Sequence, residues 1–215
     1  MVLSDELTFR IIFLALYGVS YVHPRYYRRK AHGIELSMGR RLRVASKWDK
    51  LRIVLVYLLY AVMGGAALAY VIYPYWMAWF TLPFPSWLRL AGVCLGVVAF
   101  VVRVWSMKVL GKEWSPYLHL REDHELVMDG PYRWIRHPIY AAGFAFRSAL
   151  ILESANLVIA LPCIALMGLV YPRVRKEEAM MIERFGDRYR AYMARTGRFL
   201  PRLTAERRVW GVAEG

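Results

Sequence analysis

Side chains that could do chemistry gather in three short segments in the second half of this 215-residue chain. The first segment runs from His124 to Tyr132. Its Gly130-Pro131 pair marks a turn at which the chain changes direction. From spacing alone, a polar surface loop that returns toward an apolar helix is the favoured interpretation, and a binding loop is the alternative.

The second segment is Arg136-His137-Pro138-Ile139-Tyr140, which has the pattern of a helix start. Proline is favoured at the first helical position, so His137 is predicted to lie near the N-cap of the helix. Unpaired amide groups and the helix dipole at such a terminus favour an anion, for example a carboxylate. A basic and aromatic anchor at a membrane surface is an equally good interpretation of the same residues.

The third segment begins at Arg173 and predicts an amphipathic helix that continues to about Arg195. Apolar side chains recur in it at helical spacing: Val174, Met181, Phe185, Tyr189 and Tyr192. Glu178 falls on this apolar stripe and therefore needs a buried partner. Glu177 borders the stripe four residues after Arg173, and a solvated ion pair between the two is the alternative to a functional role.

Arg147 is a single charge deep inside an apolar segment. An ionisable group at such a position is costly in a membrane and by default indicates a function. Its predicted partner is either Glu153 or an anionic group of a substrate. A structural hydrogen bond to a neighbouring helix is the alternative.

Metal and nucleic-acid chemistry are not predicted. The spacing of His119 and His124 suits neither one helical face nor one strand face, and no cysteine or third histidine is near. Cys94 and Cys163 lie inside apolar runs and are interpreted as small buried hydrophobes, not as a disulfide or a metal pair. The net charge of +14 is clustered in a few segments, which is typical of a polytopic membrane protein.

These segments must be positioned by membrane helices, because 58% of the residues are hydrophobic. Five apolar runs are predicted to cross the bilayer: 7–22, 51–73, 87–107, 139–152 and 155–171. The last two form a helical hairpin around a turn at 153–156. The acidic start at Asp5 and Glu6 favours a retained first helix over a signal peptide. The first and fourth runs are short for a complete crossing.

The charges of the connecting segments predict the orientation. The loop 23–50 contains nine lysines and arginines, the segment 108–138 contains five, and the chain from 172 onward contains eleven. The intervening segments 74–86 and 153–156 contain no basic residue. By the positive-inside rule, the N-terminus is predicted outside and the C-terminus in the cytoplasm, at the inner or plasma membrane if the protein is prokaryotic.

Taken in order, these segments resemble the isoprenylcysteine carboxyl methyltransferase family, and the phospholipid N-methyltransferases look similar. The resemblance covers roughly residues 108–201. It rests on the hairpin and on four strings: His124-Glu-Leu-Val with Gly-Pro-Tyr132, Arg-His137-Pro-Ile-Tyr140, Arg173-x-x-x-Glu177-Glu178, and Phe185-Gly-x-x-Tyr-x-x-Tyr192. It implies an all-α integral membrane enzyme that uses S-adenosylmethionine and whose cytoplasmic C-terminal helix closes the cofactor site. Residues 1–106 would then be N-terminal membrane helices, and residues 107–215 the catalytic region.

The resemblance also implies roles for individual residues. The implied cofactor contacts are His124, Glu125, Leu126, Val127, Tyr132, His137, Pro138, Ile139, Tyr140 and Glu177. Arg173 would face the methyl acceptor, with Glu178 and Tyr140 as further catalytic candidates. Arg147 is not expected from the family, and it is added as a candidate contact to a different acceptor.

The implied acceptor is lipophilic and enters from the bilayer. The carboxylate of an isoprenylcysteine-like group is favoured, and a phospholipid amine or a thiol is the alternative. Membrane lipids are the other implied partners, whereas neither nucleic acid nor an obligate protein partner is predicted. A nicotinamide-dependent enzyme of the sterol-reductase kind is disfavoured by Pro138, because that kind has asparagine soon after the motif histidine. A non-enzymatic scaffold that holds anionic lipid through the loop 23–50 would leave Glu178 unexplained.

Overall fold

The computed structural model of the protein describes residues 6–20, 47–113 and 125–202, and helices dominate these ranges. The seven α-helices are α1 (6–20), α2 (Lys47–Ile72), α3 (Pro74–Ala78), α4 (Ser86–Leu110), α5 (Pro138–Ser154), α6 (Leu157–Phe185) and α7 (Asp187–Arg195). Two 3-10 turns accompany them, at Gly111–Glu113 and Gly130–Arg133. The predicted all-α class is confirmed for the described part of the chain. Most of the basic loop 23–50, together with His119, His124 and the residues after 202, lies outside it.

Three helices of the described chain are long and apolar enough to cross a membrane: α2 from Lys50, α4 and α6. They match the second, third and fifth predicted spans. Helices also form at the first and fourth predicted positions. With 15 residues in α1 and 17 in α5, both fall short of the usual span of about 20 residues.

The predicted hairpin is present, formed by α5 and α6. Its turn places Ala155 in the left-handed region at φ 48°. Asn156 then caps α6 by accepting a hydrogen bond from the Val158 amide at 3.0 Å. Its side-chain amide donates to the Met77 carbonyl at 2.8 Å, so the turn is also fastened to the segment after α2.

Two backbone hydrogen bonds strengthen this attachment. The Leu82 amide donates to the Ala155 carbonyl at 2.6 Å, and the Leu157 amide donates to the Phe80 carbonyl at 2.9 Å. The uncharged, aromatic segment 74–86 therefore lies at the hairpin turn, at the end of the bundle away from Pro138.

The predicted separate C-terminal helix from Arg173 to Arg195 is wrong in its bounds. Helix α6 continues through Pro172 without interruption for 29 residues. It ends where Gly186 takes a positive φ of 53°, which is unfavourable for other residues, and α7 follows. At 1.5 Å per residue, α6 is about 44 Å long and exceeds a hydrocarbon core of about 30 Å. One end of α6 must therefore extend beyond the apolar region.

The core lies where α4 packs along α5 and where α6 packs against α2. Gly92 allows the closest approach, because a Cβ there would lie 2.8 Å from the Leu152 Cβ. Of the two cysteines, Cys163 is buried as predicted. The prediction for Cys94 is wrong, because it is exposed on the outer face of α4, where the bilayer would cover it.

A polar tie fastens α1, α2, α4 and α5 at the end of the bundle that carries the hairpin turn. Arg89 donates to Glu6 Oε2 at 2.6 Å, to the Glu153 carbonyl at 2.8 Å and to the Tyr70 hydroxyl at 3.2 Å. Glu153 therefore belongs to this tie, at the far end of α5 from His137.

Candidate functional site

Three predicted residues come together where the start of α5 meets the C-terminal half of α6. The Tyr140 hydroxyl donates to Glu177 Oε1 at 2.5 Å. Arg173 Nε donates to the Tyr140 hydroxyl at 2.8 Å and to Glu177 Oε1 at 3.1 Å. The Arg173–Glu177 ion pair, which the sequence left open as the alternative to a functional role, is present, and it includes a tyrosine from the neighbouring helix. Charge-assisted hydrogen bonds of this kind hold side chains in a defined geometry.

His137 lies at the N-cap of α5, as predicted, and contributes no side-chain cap. Its ring is between the two adjacent carboxylates, with Nδ1 3.8 Å from Glu177 Oε2 and Nε2 3.4 Å from Glu178 Oε1. The side chain is 9% exposed, and Nε2 makes no hydrogen bond to the described residues. His137 therefore offers a buried polar atom beside a helix N-terminus.

Glu178 is bound on both carboxylate oxygens. Arg136 Nε donates to Oε1 at 3.0 Å, and Arg198 Nη2 donates to Oε2 at 2.5 Å. The hydrogen bond with Glu178 raises the pKa of Arg198. Because Glu178 is only 4% exposed, the predicted need for a buried partner is confirmed. A carboxylate that two arginines already hold fits a structural role better than the predicted catalytic one.

Arg198 belongs to a short strap, defined here as residues 196–200. The strap runs beside the start of the second predicted segment, at Arg136 and His137. The Arg136 amide donates to the Gly197 carbonyl at 2.8 Å, and the His137 amide donates to the Arg198 carbonyl at 3.1 Å. Only glycine fits at 197, since a Cβ there would overlap with the Leu200 carbonyl oxygen. The strap fixes the backbone around His137.

The first predicted segment packs on α7. Leu126 is buried in a small cluster with Tyr189 and Tyr192, whereas Glu125 is exposed and Val127 is half-buried. Tyr132 is buried, and burial raises the pKa of its phenol. Its hydroxyl is directed at the Ser106 carbonyl, 3.5 Å away on α4. Its own carbonyl accepts from the Tyr192 hydroxyl at 2.7 Å. The segment is thus held between α4 and α7.

The predicted pairing of Arg147 with Glu153 is wrong, because the Arg147 guanidinium contacts other groups. Arg147 Nη1 donates to the Gly143 carbonyl at 2.9 Å, and Nη2 donates to the Tyr60 hydroxyl at 3.0 Å. The Glu153 backbone carbonyl accepts from Arg89, and its carboxylate oxygens make no hydrogen bond to the described residues. Arg147 therefore keeps a position on the same half of the bundle as Tyr140.

Sequence reasoning missed Arg136, Arg198 and Tyr60 as partners in this region. Arg136 immediately precedes the motif histidine, so its position carried a usable signal. Arg198 and Tyr60 lie 20 and 87 residues from the side chains that they contact, and no local pattern marks such distant pairs.

A family model matches this part of the chain. The isoprenylcysteine carboxyl methyltransferase family covers residues 92–183, from α4 through Glu177 and Glu178. This part of the chain is similar to that family. The match includes the start of α5 and the Tyr140–Glu177–Arg173 contacts.

Similar proteins from bacteria and eukaryotes match about half of the chain. The Alcaligenes xylosoxydans xylosoxydans protein named nickel-cobalt-cadmium resistance protein NccN is 28% identical over 120 residues, 55% of this chain and 54% of that protein. A Tribolium castaneum protein-S-isoprenylcysteine O-methyltransferase is 27% identical over 119 residues, 54% of this chain and 42% of that enzyme. The chain thus matches about half the length of these curated relatives.

The fold is shared more widely than the sequence. A structure of the eukaryotic intramembrane Ras methyltransferase ICMT superposes with a TM-score of 0.62 at 18% identity, covering 92% of this chain and 67% of that one. At this identity the likeness concerns the fold. Together with three helices that can span a bilayer, the shared fold identifies an integral membrane protein.

Proposed function

We propose that the protein is a membrane methyltransferase that moves a methyl group from S-adenosylmethionine to a lipophilic acceptor. The observation that carries this proposal is the convergence of Tyr140, Glu177 and Arg173 beside His137, at one end of the hairpin. The family match over 92–183 supports the same reaction class. The names of the eukaryotic relatives point to an isoprenylcysteine-like carboxylate acceptor, and a phospholipid amine or a thiol is the alternative.

The residues present fit the charged methionine end of the cofactor. The partly exposed Glu177 carboxylate suits an ammonium group. The buried Nε2 of His137, together with the first amides of α5, suits a carboxylate. Cofactor contacts are also proposed for His124, Glu125, Leu126, Val127, Tyr132, Pro138, Ile139 and Tyr140, all within the catalytic region 107–215. When bound, the cofactor supplies an electrophilic methyl group.

The chain's own residues then serve mainly to orient the reactants. Methyl transfer is a direct displacement, whose rate depends strongly on alignment of the acceptor with the methyl carbon. Arg173 is proposed to face an anionic acceptor while it fixes the Tyr140 hydroxyl. For an amine or thiol acceptor, Tyr140 and Glu177 share a hydrogen bond through which a proton could leave.

Calorimetric binding of S-adenosylhomocysteine to the detergent-purified chain tests the cofactor site. The wild type is expected to bind, and Glu177→Gln is expected to lower the affinity by about 10-fold to 100-fold, because it removes a charge-assisted hydrogen bond. Glu183→Gln is the matched control, since Glu183 is exposed on the same helix.

Absence of binding in a folded, monodisperse wild type would overturn the methyltransferase proposal. Equal affinities of Glu177→Gln and Glu183→Gln for S-adenosylhomocysteine would show that the cofactor does not contact Glu177. Transfer of radiolabelled methyl groups into the lipid extract of membranes that contain the protein then identifies the class of acceptor.

A further inference from the structure

Arg147 is the charged side chain in the middle of α5, nine residues after Pro138. Its guanidinium joins two helices, since it donates to Gly143 on α5 and to the Tyr60 hydroxyl on α2. Tyr60 lies at the middle of α2 and is 42% exposed. Because α2 packs chiefly on α6, this contact crosses a part of the bundle where α2 and α5 are not tightly packed.

The positive charge of Arg147 is not neutralised by any carboxylate in the described part of the chain. Glu177 is engaged by Tyr140 and Arg173, and Glu153 lies in the tie at the other end of α5. A guanidinium stays protonated and offers five N–H donors, of which the described contacts use two. An uncompensated charge in an apolar environment is costly. The position therefore calls for an anionic partner.

The guanidinium is directed toward the candidate site. It folds back by one turn to the Gly143 carbonyl, where the lack of a side chain leaves it room: a Cβ at 143 would lie 3.2 Å from Nη1. Gly143 follows Tyr140 by three residues, a rise of about 4.5 Å along the helix. Residues 140, 143 and 147 share one helical face. The cation thus lies about one helical turn deeper in the bundle than Tyr140.

We propose that Arg147 and Tyr60 bind an anionic oxygen group of the lipophilic methyl acceptor, a carboxylate or a phosphate that is separate from the reacting group beside Arg173 and Tyr140. This assignment rests on the proposed methyltransferase function and specifies its substrate. An acceptor with a purely apolar chain at this depth would leave Arg147 without a counter-charge. Arg147 therefore selects acceptors whose anionic group lies about one turn deeper than Tyr140.

Binding of three amphiphiles with the same alkyl chain tests the assignment: dodecanoate, monododecyl phosphate and the neutral dodecanol. The full chain is held in neutral detergent with S-adenosylhomocysteine, and each radiolabelled amphiphile is measured by equilibrium binding. The wild type is expected to bind at least one anionic amphiphile about tenfold more tightly than dodecanol. The preferred anion tells a carboxylate from a phosphate acceptor.

Substitutions test whether the preference for anions comes from Arg147 or from the overall positive charge of the protein. Arg147→Gln is expected to abolish the preference for anions, whereas Arg190→Gln, which removes an exposed charge on α7, is expected to keep it. Should Arg147→Gln fail to fold, Arg147→Lys and Tyr60→Phe are each expected to weaken anion binding several-fold while the protein stays folded.

Either no preference in the wild type or a preference that survives in Arg147→Gln would overturn the assignment, as would unchanged anion binding in both Arg147→Lys and Tyr60→Phe. Affinity for S-adenosylhomocysteine is measured on the same samples. If the wild type does not bind S-adenosylhomocysteine, the methyltransferase function itself is refuted. The two failures are therefore distinguishable.

Discussion

Glu177 and Glu178 are neighbours in the chain, but the structure gives them different surroundings. Glu177 is partly exposed and contacts Tyr140 and Arg173, whereas Glu178 is enclosed by Arg136 and Arg198. Successive helical residues point about 100° apart, so one faces the opening of the site and the other the strap. We therefore propose that Glu177 contacts the ligand and that Glu178 supports the structure.

We therefore expect Glu178→Gln to act on stability. Removing one member of a buried ion pair leaves the other charge uncompensated and costs about 3 kcal/mol or more. The measurement is the free energy of unfolding in mixed micelles with increasing sodium dodecyl sulfate, with Glu183→Gln as control. An unfolding midpoint equal to that of the control, together with loss of methyl transfer, would contradict the structural role and indicate that Glu178 is catalytic.

At the scale of elements, α4 and α5 form the closest helix pair. Small residues permit this approach: Gly92 faces the backbone of Glu153, and Gly96 faces the Ala149 methyl group. In lipid, where apolar contacts between helices gain nothing from water exclusion, such close packing is a main source of helix association. The start of α5, with His137 and Tyr140, is held in place through this contact.

We expect Gly92→Ala to destabilise the protein by about 1–3 kcal/mol, because its Cβ would lie 2.9 Å from the Glu153 amide nitrogen. Gly65→Ala on α2 is the matched control, since a Cβ there meets nothing within 4 Å. Thermal unfolding in detergent, followed by circular dichroism, measures both. Equal melting temperatures for the two variants would contradict the close α4–α5 contact.

Sequence patterns predicted the features that depend on neighbouring residues. The helix start at Pro138, the hairpin turn and the buried face of Glu178 all follow from proline, cap residues and helical spacing. The continuation of α6 through Pro172 was missed, because an internal proline removes one hydrogen bond that packing can offset. The strap and the Tyr60 contact were missed because both depend on distant parts of the chain.

At the scale of the whole molecule, the two ends of the bundle differ in chemistry. One end carries uncharged aromatic side chains, with Tyr75 86% and Trp79 89% exposed, as is typical of a membrane interface. The other end carries the candidate site and the basic α7. The long helices α2, α4 and α6 separate these ends.

We expect the two ends to lie on opposite sides of the membrane, with α7 in the cytoplasm. In a Cys94→Ala, Cys163→Ala background, Tyr75→Cys should react with a membrane-impermeant maleimide on intact cells. Arg188→Cys, an exposed position on α7, should react only after permeabilisation. Labelling of both positions from the same side would contradict the predicted topology.

The fastening of the hairpin turn to the aromatic segment links the site to the thickness of the bilayer. Aromatic rings keep to the lipid interface, and hydrogen bonds connect their segment to Ala155, Asn156 and Leu157. In a thinner membrane, the turn must tilt or shift with that interface. The other end of α5, with Tyr140, then changes its height relative to the lipid headgroups on that side of the membrane. Under the proposed methyltransferase function, the acyl-chain length of the surrounding lipids therefore sets the depth at which an acceptor meets the methyl donor.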